Sequence, residues 1–108
     1  MNSKWSFFNP VRILYGSNSR NILVNEITNQ KCLVISSERG RKRFCDDHAL
    51  SLIAKNNEIY WLDNIHSNPD IVDIQKIIDN LKGKTFHSII AFGGGSVMDS
   101  AKAINLAI

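Results

Sequence analysis

The chain has 108 residues, 44% hydrophobic and 21% charged, with a formal net charge of +3. That length supports one domain with one core, and the composition excludes a disordered chain, a collagenous repeat and a disulfide-stapled secreted scaffold. No apolar run approaches the roughly 20 residues of a membrane helix, and the first residues lack the apolar stretch of a secretory signal, so the cytoplasm is the expected compartment.

Val11-Arg12-Ile13-Leu14-Tyr15 alternates and stops at Gly16, after Trp5-Ser6-Phe7-Phe8 and the break at Asn9-Pro10, which predicts a bent strand pair or an edge strand. Ser17, Asn18 and Ser19 suit a helix start, and Ile22, Leu23 and Ile27 recur at helical spacing. Cys32-Leu33-Val34-Ile35 is a continuous apolar run, expected as a central strand covered on both faces. Arg39-Gly40-Arg41-Lys42-Arg43 then reads as a basic turn, and Phe44, Leu50, Leu52 and Ile53 predict one helix ending near Asn56-Asn57. Ile59-Tyr60-Trp61-Leu62 repeats the pattern of the first apolar run, with Trp61 expected in the core.

A third helix is predicted with Asn68 as its cap, Pro69 at its first position and Asp70 at the positive end of its dipole. Ile71, Ile74, Ile78 and Leu81 mark its apolar face, and Gly83 can end it in a left-handed conformation. The last strand, Ser88 to Phe92, leads into Gly93-Gly94-Gly95-Ser96 and a helix from Val97 to Ile108 that stops without an end signal, as expected of a truncated domain.

Strands alternating with helices predict an α/β fold, Rossmann-like in three layers, with a mostly parallel sheet and an N-terminal β-strand or hairpin region. Ligands enter such sheets beyond the carboxyl ends of the strands, which directs attention to the turns after Ile35 and after Phe92. Consecutive glycines cost backbone entropy and are kept where side chains would obstruct a turn or a ligand. Before a helix they expose amides that carry about half a positive charge, a receptor for a phosphate or pyrophosphate. The pattern is neither G-x-G-x-x-G, since Met98 stands at the third glycine position, nor a P-loop. A structural alternative is a capping box, with Ser96 capping the helix and Asp99 reaching back to its amide.

The segment Phe92-Gly93-Gly94-Gly95-Ser96-Val97-Met98-Asp99-Ser100-Ala101-Lys102-Ala103 resembles the G-G-G-S-x-x-D-x-A-K-A segment of the iron-containing, or group III, alcohol dehydrogenases. Phe8-Asn9-Pro10, Tyr15-Gly16, Leu33-Val34-Ile35-Ser36, Gly40 and Asn68-Pro69 follow in that family's order, so the resemblance spans nearly the whole chain. It implies that Gly94, Gly95 and Ser96 contact the pyrophosphate of a nicotinamide dinucleotide and that Asp99 lies toward the nicotinamide. Glycerol dehydrogenases and dehydroquinate synthases are weaker relatives by fold.

Where many members carry an Asp that holds the adenosine ribose, this chain has Ser37, flanked by Glu38 and Arg39. A missing carboxylate within a basic segment favours NADP over NAD, because charge-assisted contacts stabilise a 2′-phosphate. The family's divalent metal, Fe2+ or Zn2+, is held in a helical C-terminal domain, so the resemblance makes residues 1–108 an N-terminal NAD(P)-binding domain with that domain absent. No catalytic residue and no metal ligand are assigned here: His48, His66 and His87 lack partner spacing, and Cys32 and Cys45 have neither zinc nor redox spacing. The fragment is expected to be inactive alone, while the full-length enzyme would transfer hydride between the nicotinamide and a small alcohol or aldehyde and could form a homodimer. Two other readings are a standalone nucleotide-binding module and a nucleic-acid binder using the basic segment; partners are expected to include no nucleic acid and no membrane.

Overall fold

The structure is a computed structural model and describes residues 11–13, 23–66 and 70–107. The aromatic lead from Trp5 to Phe8, Asn9-Pro10, Leu14 to Gly16, the Ser17-Asn18-Ser19 start, Ile22, Asn68-Pro69 and Ile108 lie outside the described residues.

The described strands are β1 (Val11–Ile13), β2 (Lys31–Ile35), β3 (Glu58–Leu62) and β4 (Ser88–Ala91), joined in one sheet in the order β1-β4-β2-β3. Every pair is parallel. β1 is thus an edge strand against β4, aligned from Val11↔Ile89 to Ile13↔Ala91, rather than half of a hairpin within the described residues. The helices are α1 (Glu38–Asp46), α2 (His48–Asn56), α3 (Ile71–Leu81) and α4 (Gly95–Ala107), with a further helical turn at 23–26.

Alternation along β2 divides the core. Cys32 and Val34 pack on one face with Leu23, Ile27, Phe44, Leu50, Ile53 and Ile90, so α1 and α2 cover that side. Leu33 and Ile35 pack on the other with Ile78, Leu81, Ile89, Val97, Ala101 and Ile104, which α3 and α4 cover. The result is the α/β three-layer, Rossmann-like arrangement predicted from the alternation of elements. Each fully buried Leu or Ile contributes roughly 1.5–3 kcal/mol of burial free energy.

Several local expectations are corrected. The basic stretch is the body of α1, not a turn, because Ser37 caps it and Gly40, buried, lets its first turn lie against the sheet. The single helix expected up to Asn56 is two, since Asp47 adopts an extended backbone with φ −77 and ψ 132 and caps α2. β3 is a half-exposed edge strand, with Trp61 only partly buried, although its apolar run matches that of the fully buried β2. Asp70, not Asn68, caps α3, and its first residue Ile71 is exposed, so the packed stripe begins later, at the partly buried Ile74, and is buried at Ile78 and Leu81. α4 begins at Gly95, two residues before the expected Val97. Gly83, with φ +84, follows α3 in the left-handed conformation expected of it.

Candidate functional site

Parallel strands bring all their carboxyl ends to one edge of the sheet. β2 and β4 are neighbours, paired from Cys32↔Ser88 to Ile35↔Ala91, yet β2 continues into α1 on one face and β4 into α4 on the other. Adjacent strands whose connections diverge to opposite faces leave a crevice between them, the place where ligands enter open α/β sheets. The two turns singled out in the sequence meet there: the Phe92 amide donates to the Ile35 carbonyl at 3.0 Å. A Cβ on Gly40 would stand 3.2 Å from the Phe92 carbonyl oxygen, so the first turn of α1 abuts the end of β4.

The three glycines play different parts. A Cβ at Gly93 would lie 2.8 Å from Val97 Cγ2, so packing inside the chain excludes a side chain. At Gly94 and Gly95 a Cβ would meet nothing within 4 Å, so the chain's own packing does not account for glycine there. The Met98 amide donates to the Gly94 carbonyl at 3.0 Å, which makes Gly94 the cap position of α4. The starts of α1, α2 and α3 carry side-chain caps. Ser37 Oγ accepts from the Gly40 amide at 3.0 Å, Asp47 Oδ1 from Leu50 at 3.0 Å, and Asp70 Oδ1 from Asp73 at 2.9 Å. Glycine offers no such acceptor.

The expected capping box is therefore displaced: Ser96 lies inside the first turn of α4 with Asp99 on an exposed surface a turn later, and a cap residue cannot itself be helical. The candidate residues Ser37, Arg39, Gly94, Gly95 and Ser96 all stand at the carboxyl edge. Ser37 is half-buried and spends an acceptor on its cap, whereas Arg39 is exposed.

Sequence reasoning missed Asp63. Ile35 pairs with Leu62 across β2 and β3, so the residues just beyond them stand side by side. Arg41 Nη1 donates to Asp63 Oδ2 at 2.8 Å, and its guanidinium carbon lies 4.6 Å from the centre of the Trp61 ring. The signal that could have found Asp63 is the parallel register, which brings the first acidic residue after β3 beside the turn after β2. Beneath Arg41, Phe44 meets Trp61 and Phe92 edge-on at 5.5 and 5.6 Å, joining this corner to the glycine turn through aromatic contacts.

At the opposite edge, a polar groove of about 570 Å³ is lined by Gln30, Lys31, Lys55, Asn57, Glu58 and His87 among others. Asn57 ties it together, accepting from the Gln30 amide at 2.9 Å and donating to the carbonyls of Ile27 and Ile53 at 2.9 and 2.8 Å. His87 Nδ1 accepts from the Lys31 amide at 3.0 Å. Cys32 lies in the core nearby, and burial pushes its thiol up to about 11. Among the described residues no three His, Cys, Asp or Glu side chains gather as a metal-binding group, and no helix is long and apolar enough to cross a membrane.

By architecture the chain is a doubly wound α/β domain with its crevice between β2 and β4. The sequence model of the family described as iron-containing alcohol dehydrogenase matches residues 10–108, and the chain belongs to that family. It is 30% identical over 99 residues to NADH-dependent butanol dehydrogenase B of Clostridium acetobutylicum, across 88% of this chain and 25% of that protein. Butanol dehydrogenase A of the same organism, also named NADH-dependent, is 25% identical over the same shares. Among solved structures, the iron-containing alcohol dehydrogenase of Thermococcus thioreducens matches with a TM-score of 0.66 at 22% identity, over 91% of this chain and 26% of that one. The aldehyde reductase YqhD of E. coli matches with a TM-score of 0.61 at 21% identity, over 90% of this chain and 26% of that one. The chain thus spans about a quarter of the length of these relatives.

Proposed function

We propose that this chain is the nicotinamide-dinucleotide-binding part of a metal-dependent alcohol dehydrogenase or aldehyde reductase, with the cofactor pyrophosphate seated at the start of α4. The observation that carries this reading is the glycine at the cap of that helix. Ser37, Asp47 and Asp70 cap α1, α2 and α3, whereas Gly94 brings no side-chain acceptor to the start of α4 beside the crevice. Open space at Gly94 and Gly95 fits an anion approaching the main chain, and the helix dipole favours its charge. Gly94, Gly95 and Ser96 would hold the pyrophosphate, Ser37 and Arg39 the adenosine ribose, and Asp99 would face the nicotinamide side. The bound cofactor supplies the hydride chemistry, and these residues bind and orient it. The catalytic metal and most of the substrate pocket belong to sequence outside these residues, as the quarter-length match to the relatives supports.

On this reading NADPH is preferred, because Ser37 presents no carboxylate to a 2′-phosphate and Arg39 is free to approach it. A second reading, NADH, is favoured by the names of the two butanol dehydrogenases. Calorimetric titration of the full chain with NADPH, NADH and ADP-ribose tests both parts. Binding of all three supports a pyrophosphate seat, and tighter binding of NADPH supports the preference. No binding at millimolar concentration would refute the seat, and equal or tighter NADH binding would refute the preference.

A further inference from the structure

We propose that the Arg41–Asp63 pair sets how strongly this site discriminates a 2′-phosphate, an inference that rests on the dinucleotide reading above. Asp63 is the first residue after β3 and stands beside the exit of β2, where Ser36 donates its amide to the Leu62 carbonyl at 2.9 Å and Ile65 donates to the Ser36 carbonyl at 3.3 Å. It brings a carboxylate next to the Ser36-Ser37 turn, which carries no acid of its own. Arg41 lies one helical turn beyond Ser37, its amide bonded to the Ser37 carbonyl at 2.9 Å. Its guanidinium is oriented by two partners at once, the Trp61 ring and Asp63. Both charged side chains remain partly open, at 45% and 31% exposure, so an incoming phosphate can reach the pair.

The charges oppose each other. A guanidinium has a planar fork suited to phosphate, and stacking on Trp61 holds that fork ready. Asp63 occupies one edge of it and repels a second anion. The pair therefore acts as a brake: Arg41 attracts the 2′-phosphate, Asp63 limits the gain, and Arg39 supplies the remainder. Removing the carboxylate while preserving size and hydrogen bonding releases the brake.

The test measures binding to the full chain of 2′,5′-ADP against 5′-AMP and of NADPH against NADH, for the unaltered protein, Asp63→Asn, Arg41→Ala and the double variant. Thermal melts accompany each variant to establish that it is folded. Asp63→Asn is expected to tighten the 2′-phosphorylated ligands about tenfold relative to their partners, and Arg41→Ala to weaken them by about as much. The double variant loses the gain, because the freed guanidinium is its source. Trp61 emission provides a second readout, changing on 2′,5′-ADP binding only where Arg41 is present. If all ligands bind and the ratios stay unchanged in Asp63→Asn, or both members of each pair tighten equally, the pair has no part in discrimination while the dinucleotide reading stands. If none of the ligands binds the unaltered protein, both fall.

Discussion

The two edges of the sheet satisfy their backbone in opposite ways. At the amino edge the chain closes on itself: Asn57 serves the Gln30 amide and two carbonyls, and His87 accepts from Lys31. At the carboxyl edge α1 and α3 begin with side-chain caps, as does α2 elsewhere, yet α4 begins at a glycine over open space. A groove whose polar groups serve its own backbone is built for stability. A helix start whose cap position is glycine is suited to an external anion. The roomy polar groove is therefore less informative than the crevice near Gly94, because Asn57 and His87 in the groove already serve its own backbone.

If the amino edge is structural, Asn57→Ala should remove three hydrogen bonds and cost about 3 kcal/mol, with nucleotide affinity unchanged in the folded fraction. Chemical denaturation alongside calorimetry checks both halves, and weakened nucleotide binding would blur the distinction between the edges. Cys32 sharpens the same side through pH. Its thiol stays protonated in the folded chain up to about pH 11, whereas the unfolded chain releases that proton from about pH 9. Above pH 9 the unfolded state therefore binds fewer protons, and stability falls with rising pH by on the order of 2 kcal/mol. Denaturation at pH 8 and pH 10.5 should show this loss in the native chain and much less of it in Cys32→Val.

At the carboxyl edge the glycines separate into a packing residue, Gly93, and two, Gly94 and Gly95, that the chain's own packing does not account for. Gly93→Ala should cost about 2 kcal/mol because its Cβ meets Val97 at 2.8 Å, a clash that thermal melts detect without any ligand. Gly94→Asp has the smallest effect on stability and the greatest power to decide. It restores a side-chain cap in open space and should stabilise the chain by about 1 kcal/mol while lowering dinucleotide affinity tenfold or more through charge repulsion. A variant that gained stability and kept its affinity would break the contrast between the edges.

Local chemistry made much of this protein legible in its sequence. The apolar runs at Cys32–Ile35, Ile59–Leu62 and Ser88–Ala91 are strands, Gly83 is left-handed, and the glycine turn opens the last helix. Each depends on neighbours within a few residues: alternation, dihedral freedom, a capping side chain. The same local patterns carried the family resemblance. Ranking the strands was beyond them, because the runs of β2 and β3 look alike while strand order buries one and exposes the other.

Only the tertiary structure decided where caps fall and which charges meet. Asp47 ends one helix and starts another because both must lie on the same sheet face, and Gly94 rather than Ser96 became the cap of α4 because the turn is shorter than the motif suggested. Arg41 and Asp63, 22 residues apart, became partners through the register of β2 with β3. The physical reason is range. Dihedral preference and periodicity act over one or two turns of chain, whereas register and the facing of helices are set by how whole elements bury their surfaces together.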